Sequence, residues 1–565
     1  IHGVGFLTAD RNAQAVGIAP HAPVRAAAGL HHRLQTAADV GHTLMPEAAL
    51  CAETAAQLAV PEAAVRAGLV QLLDAAHAVR VDDAALLARD PATADGAPRI
   101  ALCTLREAEH AVAARLATLA AGGSADDGAP PSHDAAIAAY QDDAGLTLDP
   151  GQRRALVRAL DSRVLVITGG PGTGKTTLVR GIVHVLRRAG LRLHLAAPTG
   201  RAAKRLTEAT GVEGRTLHRL LAWNPRLGAF AHDADAPLET DLVIVDEASM
   251  LDVVLTRCLL EALPDDARLI LVGDVDQLPS VGPGRVLGDL IDSGAVPVER
   301  LTTIFRQAQA SRIVTSAHRV RAGEMPEIDG PDARDPSRDF FFLHRARPEA
   351  VVETVLEIVK NRIPRRFDVD PRRDLQVLTP MRRGPLGTQA LNEQLQRVLN
   401  PESGPTLARG GRELRAGDRV MQLRNNYDLD VYNGDIGRVR AVLPRKPPSS
   451  DDDKPPPRLL VDVDGRPVPY DDSALDDLTL AYASTIHKSQ GSEFPFVVVV
   501  LHDQHFIMLQ RNLLYTAITR GRRFVVVVGS RRALQRAVRT REASRRQTLL
   551  TAQLRAATET GGGAG

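Results

Sequence analysis

The chain of 565 residues reads as an α/β protein with two parallel sheets, a small β insert and an all-helical N-terminal region. Three observations predict this architecture. The segment Gly169-Gly170-Pro171-Gly172-Thr173-Gly174-Lys175-Thr176 follows the apolar run Val164 to Ile167 and precedes a helical pattern from Thr177 to Arg188. Short β-branched runs at 164–168, 193–197, 242–245 and 269–272 alternate with helical stretches, as in a parallel sheet covered on both faces. A second set of apolar runs, at 375–378, 496–501 and 524–528, is interrupted by a long insert. A second α/β domain is therefore expected from segments far apart in sequence.

Taken in order, residues 1–121 are alanine-rich with helical patterning, and Pro46-Glu47 and Pro61-Glu62 each mark a helix start. A flexible linker is expected within 122–145, where Gly122-Gly123-Ser124 and Pro130-Pro131-Ser132 break any pattern. The first α/β domain is placed at 146–300 and the second at 301–410 and 479–550. The insert, 411–478, carries Arg419 to Leu423, an Asn433-Gly434 turn, Ile436 to Val442 and Leu459 to Val463, which read as strands of a small barrel. Within it, 445–458 is rich in Pro, Asp and Ser and is expected to be a surface loop. Residues 551–565 read as a flexible tail.

Gross composition narrows little. A formal net charge of +2 is compatible with a basic groove, so it excludes no nucleic-acid partner. Cys51, Cys103 and Cys258 lack metal-ligand spacing and read as small apolar residues in a reducing, cytoplasmic setting. No apolar stretch approaches the ~18 residues that span a bilayer, so no membrane partner is expected. The start at Ile1-His2-Gly3 has no signal pattern, and because it is not Met nothing is concluded from where the chain begins.

The chemistry starts at the glycine-rich loop. Backbone N–H groups around Gly170, Pro171, Gly172, Thr173 and Gly174 can converge on phosphates, Lys175 on the β and γ oxygens, and Thr176 on Mg²⁺, while Thr177 continues the helix. This predicts a nucleoside triphosphatase that uses Mg²⁺. Asp246 and Glu247 end the buried run Leu242 to Val245. Asp246 is the candidate to hold Mg²⁺, and Glu247 to orient and deprotonate water. Gln277, in Gly273-Asp274-Val275-Asp276-Gln277-Leu278-Pro279, could bond a γ-phosphate oxygen or the nucleophilic water, or simply cap a turn. Arg306 and Arg520 are candidates to neutralise charge on the transferring phosphoryl group.

These motifs occur in order with Ala197-Pro198-Thr199-Gly200-Arg201-Ala202-Ala203, Asp246-Glu247-Ala248-Ser249, Phe305-Arg306-Gln307, Thr485 to Glu493 and Tyr515 to Arg520. The set resembles superfamily 1 helicases, and more narrowly the RecD-like branch that moves 5′ to 3′ on single-stranded DNA. The resemblance implies two RecA-like P-loop domains, an SH3-like barrel over the translocating strand, and ATP closing the cleft between the domains. It also implies that the nucleotide is ATP, that Gln152 reads adenine, that Gly491 and Glu493 line the nucleotide cleft, and that Arg306 and Arg520 reach the γ-phosphate from the second domain.

By the same resemblance, DNA contacts fall on Pro198, Thr199, Gly200, Arg201, Thr216 and His218 in the first domain. In the second they fall on Thr379, Pro380, Arg382, Thr485, His487 and Lys488. Asn425, Asn426 and Tyr427 of the insert could touch DNA or be ordinary loop residues. A β-hairpin pin is expected near 220–239. Its single tryptophan, Trp223, either faces DNA or packs the hairpin base. The N-terminal residues look like half of a helix-hairpin-helix, and a winged-helix-like unit or a plain helical domain is expected at 46–106. The implied partners are single-stranded DNA and duplexes with a 5′ overhang, with the oligomeric state open and a monomer sufficient.

Two other readings compete. The chain could be the motor of a conjugative relaxase or of a RecBCD-type nuclease complex, although it shows neither a relaxase histidine cluster nor a nuclease carboxylate cluster. A non-hydrolytic DNA clamp is the third class. Such a clamp has no need of Glu247, Gln277, Arg306 and Arg520.

Overall fold

The structure is a computed structural model that describes residues 5–122, 133–328, 338–401, 404–444, 457–541 and 546–561. Residues 123–132 of the expected linker and 445–456 of the expected loop lie outside the described residues.

The first lobe is a six-stranded sheet in the spatial order Val298–Leu301, Val164–Gly169, Arg268–Gly273, Leu242–Val245, Leu193–Ala197, Gly214–Thr216. All its pairings are parallel. Its central strands are buried on both faces, which is why they appear as continuous β-branched runs. The two edge strands escape that pattern. Val298–Leu301 carries Glu299 and Arg300, and Gly214–Thr216 has only three residues, so pairing rather than hydrophobicity makes them strands.

The second lobe has a five-stranded parallel sheet in the order Phe340–His344, Gly521–Gly529, Phe494–Leu501, Leu375–Thr379, Ala483–Thr485. The helices Arg312–Ala322 and Arg511–Thr519 pack on one face through Ile313, Ala317, Val320, Leu513 and Leu514. Leu278 of the first lobe is buried in that same apolar cluster, so the lobes share a core at one point.

The insert corrects the expectation of a barrel. Its strands form an open antiparallel sheet of five, ordered Arg466–Tyr470, Leu459–Val463, Ile436–Val442, Arg419–Gln422, Leu478–Leu480, and among the described residues the two outer strands do not pair. The physical reason is its inner face. Val420, Val439, Val461 and Val468 join one apolar cluster with Val377, Leu391 and Phe496 of the second lobe, so the sheet is covered without closing on itself.

The N-terminal region is not all-helical. Helices Pro23–Asp39, Glu47–Leu58 and Glu62–Asp74 surround an antiparallel sheet of Leu44–Pro46, Arg99–Leu102 and Ala78–Val81. The order is helix, strand, two helices, strand, the short helix Ala84–Leu87 and a last strand. These strands have three or four residues each, too few to show a period of two. Two helices do start after Pro46 and Pro61 as expected, with each proline in the cap position.

The expected flexible tail is also corrected over 551–561, and 562–565 lie outside the described residues. Residues Leu550–Gly561 form a helix whose Leu550 and Leu554 sit in the first-lobe core, while Leu549 and Ala552 pack with Leu44, Val81 and Leu87 of the N-terminal unit. Apolar residues on two sides of one helix let it staple the two units together.

Candidate active site

The phosphate loop leaves strand Val164–Gly169 and enters helix Lys175–Arg188. Gly172 and Gly174 have φ of 75° and 77°, a left-handed backbone that favours glycine and turns the loop's N–H groups inward. Lys175 Nζ donates to the carbonyl oxygens of Gly169 and, at 3.2 Å, Gly170, so the ammonium already lies over the loop.

Around this loop is a cavity of about 580 Å³ between the two lobes. Gly170 to Thr176, Asp246, Glu247 and Gln277 line it from the first lobe, and Glu493 and Arg520 from the second. Thus the loop, both strand-end carboxylates and one predicted arginine converge, although more than 340 positions separate Lys175 and Arg520 in sequence. Glu247 adopts φ 54°, unusual for a residue with a side chain, at the turn that follows the strand. Burial and the neighbouring Glu247 push Asp246 up to about 6. A divalent cation would relieve that repulsion, so Asp246 and the Thr176 hydroxyl fit an Mg²⁺ site completed by phosphate oxygens. Among the described residues no cluster of three or more His, Cys, Asp or Glu could hold a metal ion by itself.

A buried polar chain links the lobes beside the cavity. Tyr515 Oη donates to Asp274 Oδ2 at 2.7 Å, Gln277 Nε2 donates to the same oxygen at 3.2 Å, and Arg520 Nη2 donates to Gln277 Oε1 at 2.8 Å. Burial, then Asp274, raises the Tyr515 hydroxyl well above its ordinary value, so it stays a donor. Arg520 is 2 % exposed and also bonds the carbonyls of Ser492 and Thr516. The predicted Gln277 is therefore a connector between lobes as well as a cavity residue. Tyr515 and Asp274 lie inside the quoted motifs, but nothing in their spacing assigned them a partner.

Arg306 opens the helix Arg306–Gln309, and its side chain lies outside the described residues. Its helix lies against the loop, since Phe305 N donates to Gly172 O at 3.2 Å. Gln152, the expected adenine reader, sits beside the phosphate loop. It is 1 % exposed, does not line the cavity, caps its own helix with Asp149, and donates to Gly174 O at 3.3 Å. Its amide supports the loop from behind. Gly491 lies against Thr199, where an added Cβ would lie 2.4 Å from Thr199 Oγ1.

The DNA-facing predictions divide. Arg382, Thr485 and Lys488 line a cavity of about 710 Å³ between the second lobe and the insert, together with Arg397, Arg412 and Arg415. His487 adjoins them, half-buried, with its imidazole held below its ordinary pKa by burial and then by Arg546. Thr379 and Pro380 are buried, and the Thr379 hydroxyl donates to Leu386 O at 2.7 Å, so these two shape the turn and present no side chain to a ligand. In the first lobe Thr199 and Thr216 spend their hydroxyls as helix caps, accepting from Ala202 N and Arg219 N. Pro198, Gly200 and Arg201 are half-buried, with Arg201 over the Phe494 ring at 5.5 Å. Asn425 and Asn426 accept from Asn433 N and Leu429 N and so brace the insert's loop, while Tyr427 stacks edge-on with Tyr432.

The hairpin is present. Trp223–Asn224 pairs with Ala229–Phe230, and Trp223, Phe230 and His218 form an aromatic cluster with Trp223 and Phe230 centroids 4.8 Å apart. Trp223 and His218 thus pack the base, and Leu227, 77 % exposed, occupies the tip.

Comparison with known proteins agrees with this geometry. The ATP-dependent RecD2 DNA helicase from Deinococcus radiodurans is 37% identical over 564 residues, covering 98% of this chain and 72% of that protein. This chain belongs to the RecD2-like DNA helicases. As a helicase of that family it is an ATP-dependent DNA-unwinding enzyme. Family profiles match the helicase in four places: an AAA domain at 147–335, a RecD-like DNA helicase SH3 domain at 391–461, a UvrD-like helicase C-terminal domain at 480–528, and a RecD2 helicase HHH domain at 1–44. The RecBCD enzyme subunit RecD of Mycolicibacterium smegmatis is 34% identical over 68% of the helicase and 72% of that protein. A crystal structure of Bacteroides Pif1 bound to ssDNA aligns with 68% of the helicase and 92% of that chain, at 20% identity and a TM-score of 0.41. Among the described residues no helix is long and apolar enough to cross a membrane.

Proposed function

We propose that this helicase moves 5′ to 3′ along single-stranded DNA and opens duplexes that carry a 5′ overhang, hydrolysing ATP between its lobes. The observation that carries the hydrolytic part is the shared cavity, where Lys175, Asp246 and Glu247 of one lobe face Arg520 of the other. Lys175 binds the β and γ oxygens, and Glu247 takes a proton from water. Arg520, together with Arg306, neutralises charge on the phosphoryl group. Thr176 and Asp246 would hold Mg²⁺, which when bound would supply positive charge beside the phosphates. Closing the lobes completes this set and parting them dissolves it, which is the stepping cycle.

Along the strand, Arg382, Thr485, His487 and Lys488 form the second-lobe grip, Pro198 to Arg201 the first-lobe grip, and the hairpin tip at 225–228 divides the duplex. Stand-alone action is favoured over a subunit role because the Deinococcus relative aligns with 98% of the chain, whereas the mycobacterial RecD subunits align with 68% or 69%. Unwinding of matched duplexes with 5′ or 3′ tails tests polarity. Preferential opening of the 3′-tailed substrate overturns it. Deleting 225–228 should spare DNA-stimulated ATP turnover while abolishing unwinding.

A further inference from the structure

Arg205 was not expected to take part in anything, yet it lines the nucleotide cavity and spans it. Its Nη2 lies 3.0 Å from Glu247 Oε1 in the first lobe and its Nη1 lies 2.8 Å from Glu493 Oε1 in the second. The other oxygen of Glu493 is held by Arg522 Nε at 2.7 Å. Burial would lower the basicity of the guanidinium, but Glu493, Glu247 and Asp246 outweigh it and keep it charged. Its Nε is buried without a hydrogen-bond partner. Burial likewise opposes ionisation of Glu493, and Arg205, Arg520 and Arg522 overcome it, holding that carboxylate at about 2. A fixed anion thus anchors the clamp in the second lobe.

The helix that carries Arg205, Gly200–Thr210, touches both the second lobe and the insert. Its start contributes Arg201 to the Phe494 ring of the second lobe, and Lys204 pairs with Asp464 of the insert at 3.1 Å. The same start, Pro198 to Arg201, is the proposed first-lobe DNA grip. Arg201 and Arg205 are four positions apart, about one helical turn, so a displacement at the DNA end is transmitted to the guanidinium through a rigid rod.

We infer that Arg205 is a positioning residue that couples DNA engagement to the readiness of Glu247. The guanidinium occupies Glu247 Oε1, an oxygen that would otherwise be open to the attacking water, and phosphate oxygens compete strongly for the same donor. DNA bound at the start of the helix shifts Arg205 from Glu247 toward the phosphates, which frees the base and adds a cation where charge develops. The inference rests on Glu247 being the base.

The test uses the full chain, ATP and oligo-dT as the DNA. Arg205→Gln should cut the ratio of kcat with DNA to kcat without it by about tenfold or more, with KM for ATP and Kd for oligo-dT within about threefold of the parent. Arg205→Lys keeps the charge but engages one carboxylate at a time, and should recover part of the ratio. A ratio within about threefold of the parent, or a loss matched by an equal loss of oligo-dT affinity, overturns the coupling role. If Arg205→Gln does not fold, Arg205→Met, which likewise removes the charge, is read by the same criteria. Glu247→Gln is run alongside. Undiminished turnover in that variant removes the base assignment itself, whatever Arg205 does.

Discussion

The two lobes are built from the same kind of parallel sheet but were not equally visible, and they contribute unlike chemistry. The first lobe runs continuously from about 146 to 301 and supplies backbone donors, an ammonium and two carboxylates. The second is gathered from segments near 312–322, 340–399 and 483–538 and supplies guanidiniums, a buried phenol and an anchored glutamate. Each is also braced differently. The insert's sheet shares a core with the second lobe, whereas the C-terminal helix ties the first lobe to the N-terminal unit. The lesson is a division of labour: one lobe binds and the other completes, so only their juxtaposition is an enzyme.

The largest effect that tests this division is Lys175→Ala. It removes the phosphate-binding cation from the first lobe and should abolish ATP turnover, measured as phosphate release with and without DNA. Residual turnover at a tenth of the parent or more would break the comparison. Next comes Arg520→Ala in the second lobe. It should lower kcat by about 10³-fold, the scale of a lost charge-stabilising arginine, with nucleotide still bound. Loss of nucleotide affinity in proportion would mean that both lobes bind and neither merely completes.

The smallest effect concerns the brace. Burial, opposed by the Leu549 N–H and the Thr43 hydroxyl, raises Glu109 to about 7. Glu109 Oε2 is buried without a partner, as suits a protonated acid. Burial also raises Asp289, beside Thr551 of the C-terminal helix, to about 6. Both folded-state values lie above the ordinary carboxyl range, so their contribution is fully present below about pH 4 and is lost as pH rises through 6 and 7. Between pH 5 and 8 the melting temperature should fall by about 2–6 °C, and Glu109→Gln, which can still accept from Thr43 and Leu549, should flatten that slope. An unchanged slope in Glu109→Gln would locate the pH response elsewhere.

Legibility followed the range of the interactions. The phosphate loop was readable because strand, glycines and helix are contiguous, and the strands buried on both faces were readable because burial demands unbroken apolar runs. Edge strands such as Gly214–Thr216 and Ala483–Thr485 were not, since three residues carry no period. Gln152 shows what spacing leaves out: its amide donates to Gly174, a contact that no spacing reveals. The C-terminal helix was missed because its alanines and threonines look like a solvated tail until two apolar surfaces meet them.

By itself the sequence determined that there is a phosphate cradle, which carboxylates end the strands beside it, and which arginines were available. Those features depend on neighbours within a few residues, where backbone sterics and periodicity act. Only the tertiary structure decided that Arg205 spans the cleft between Glu247 and Glu493, that Tyr515 closes on Asp274, and that Thr379 points inward. Charge pairing and burial act through space, and the order of residues along the chain does not encode which distant partner arrives there.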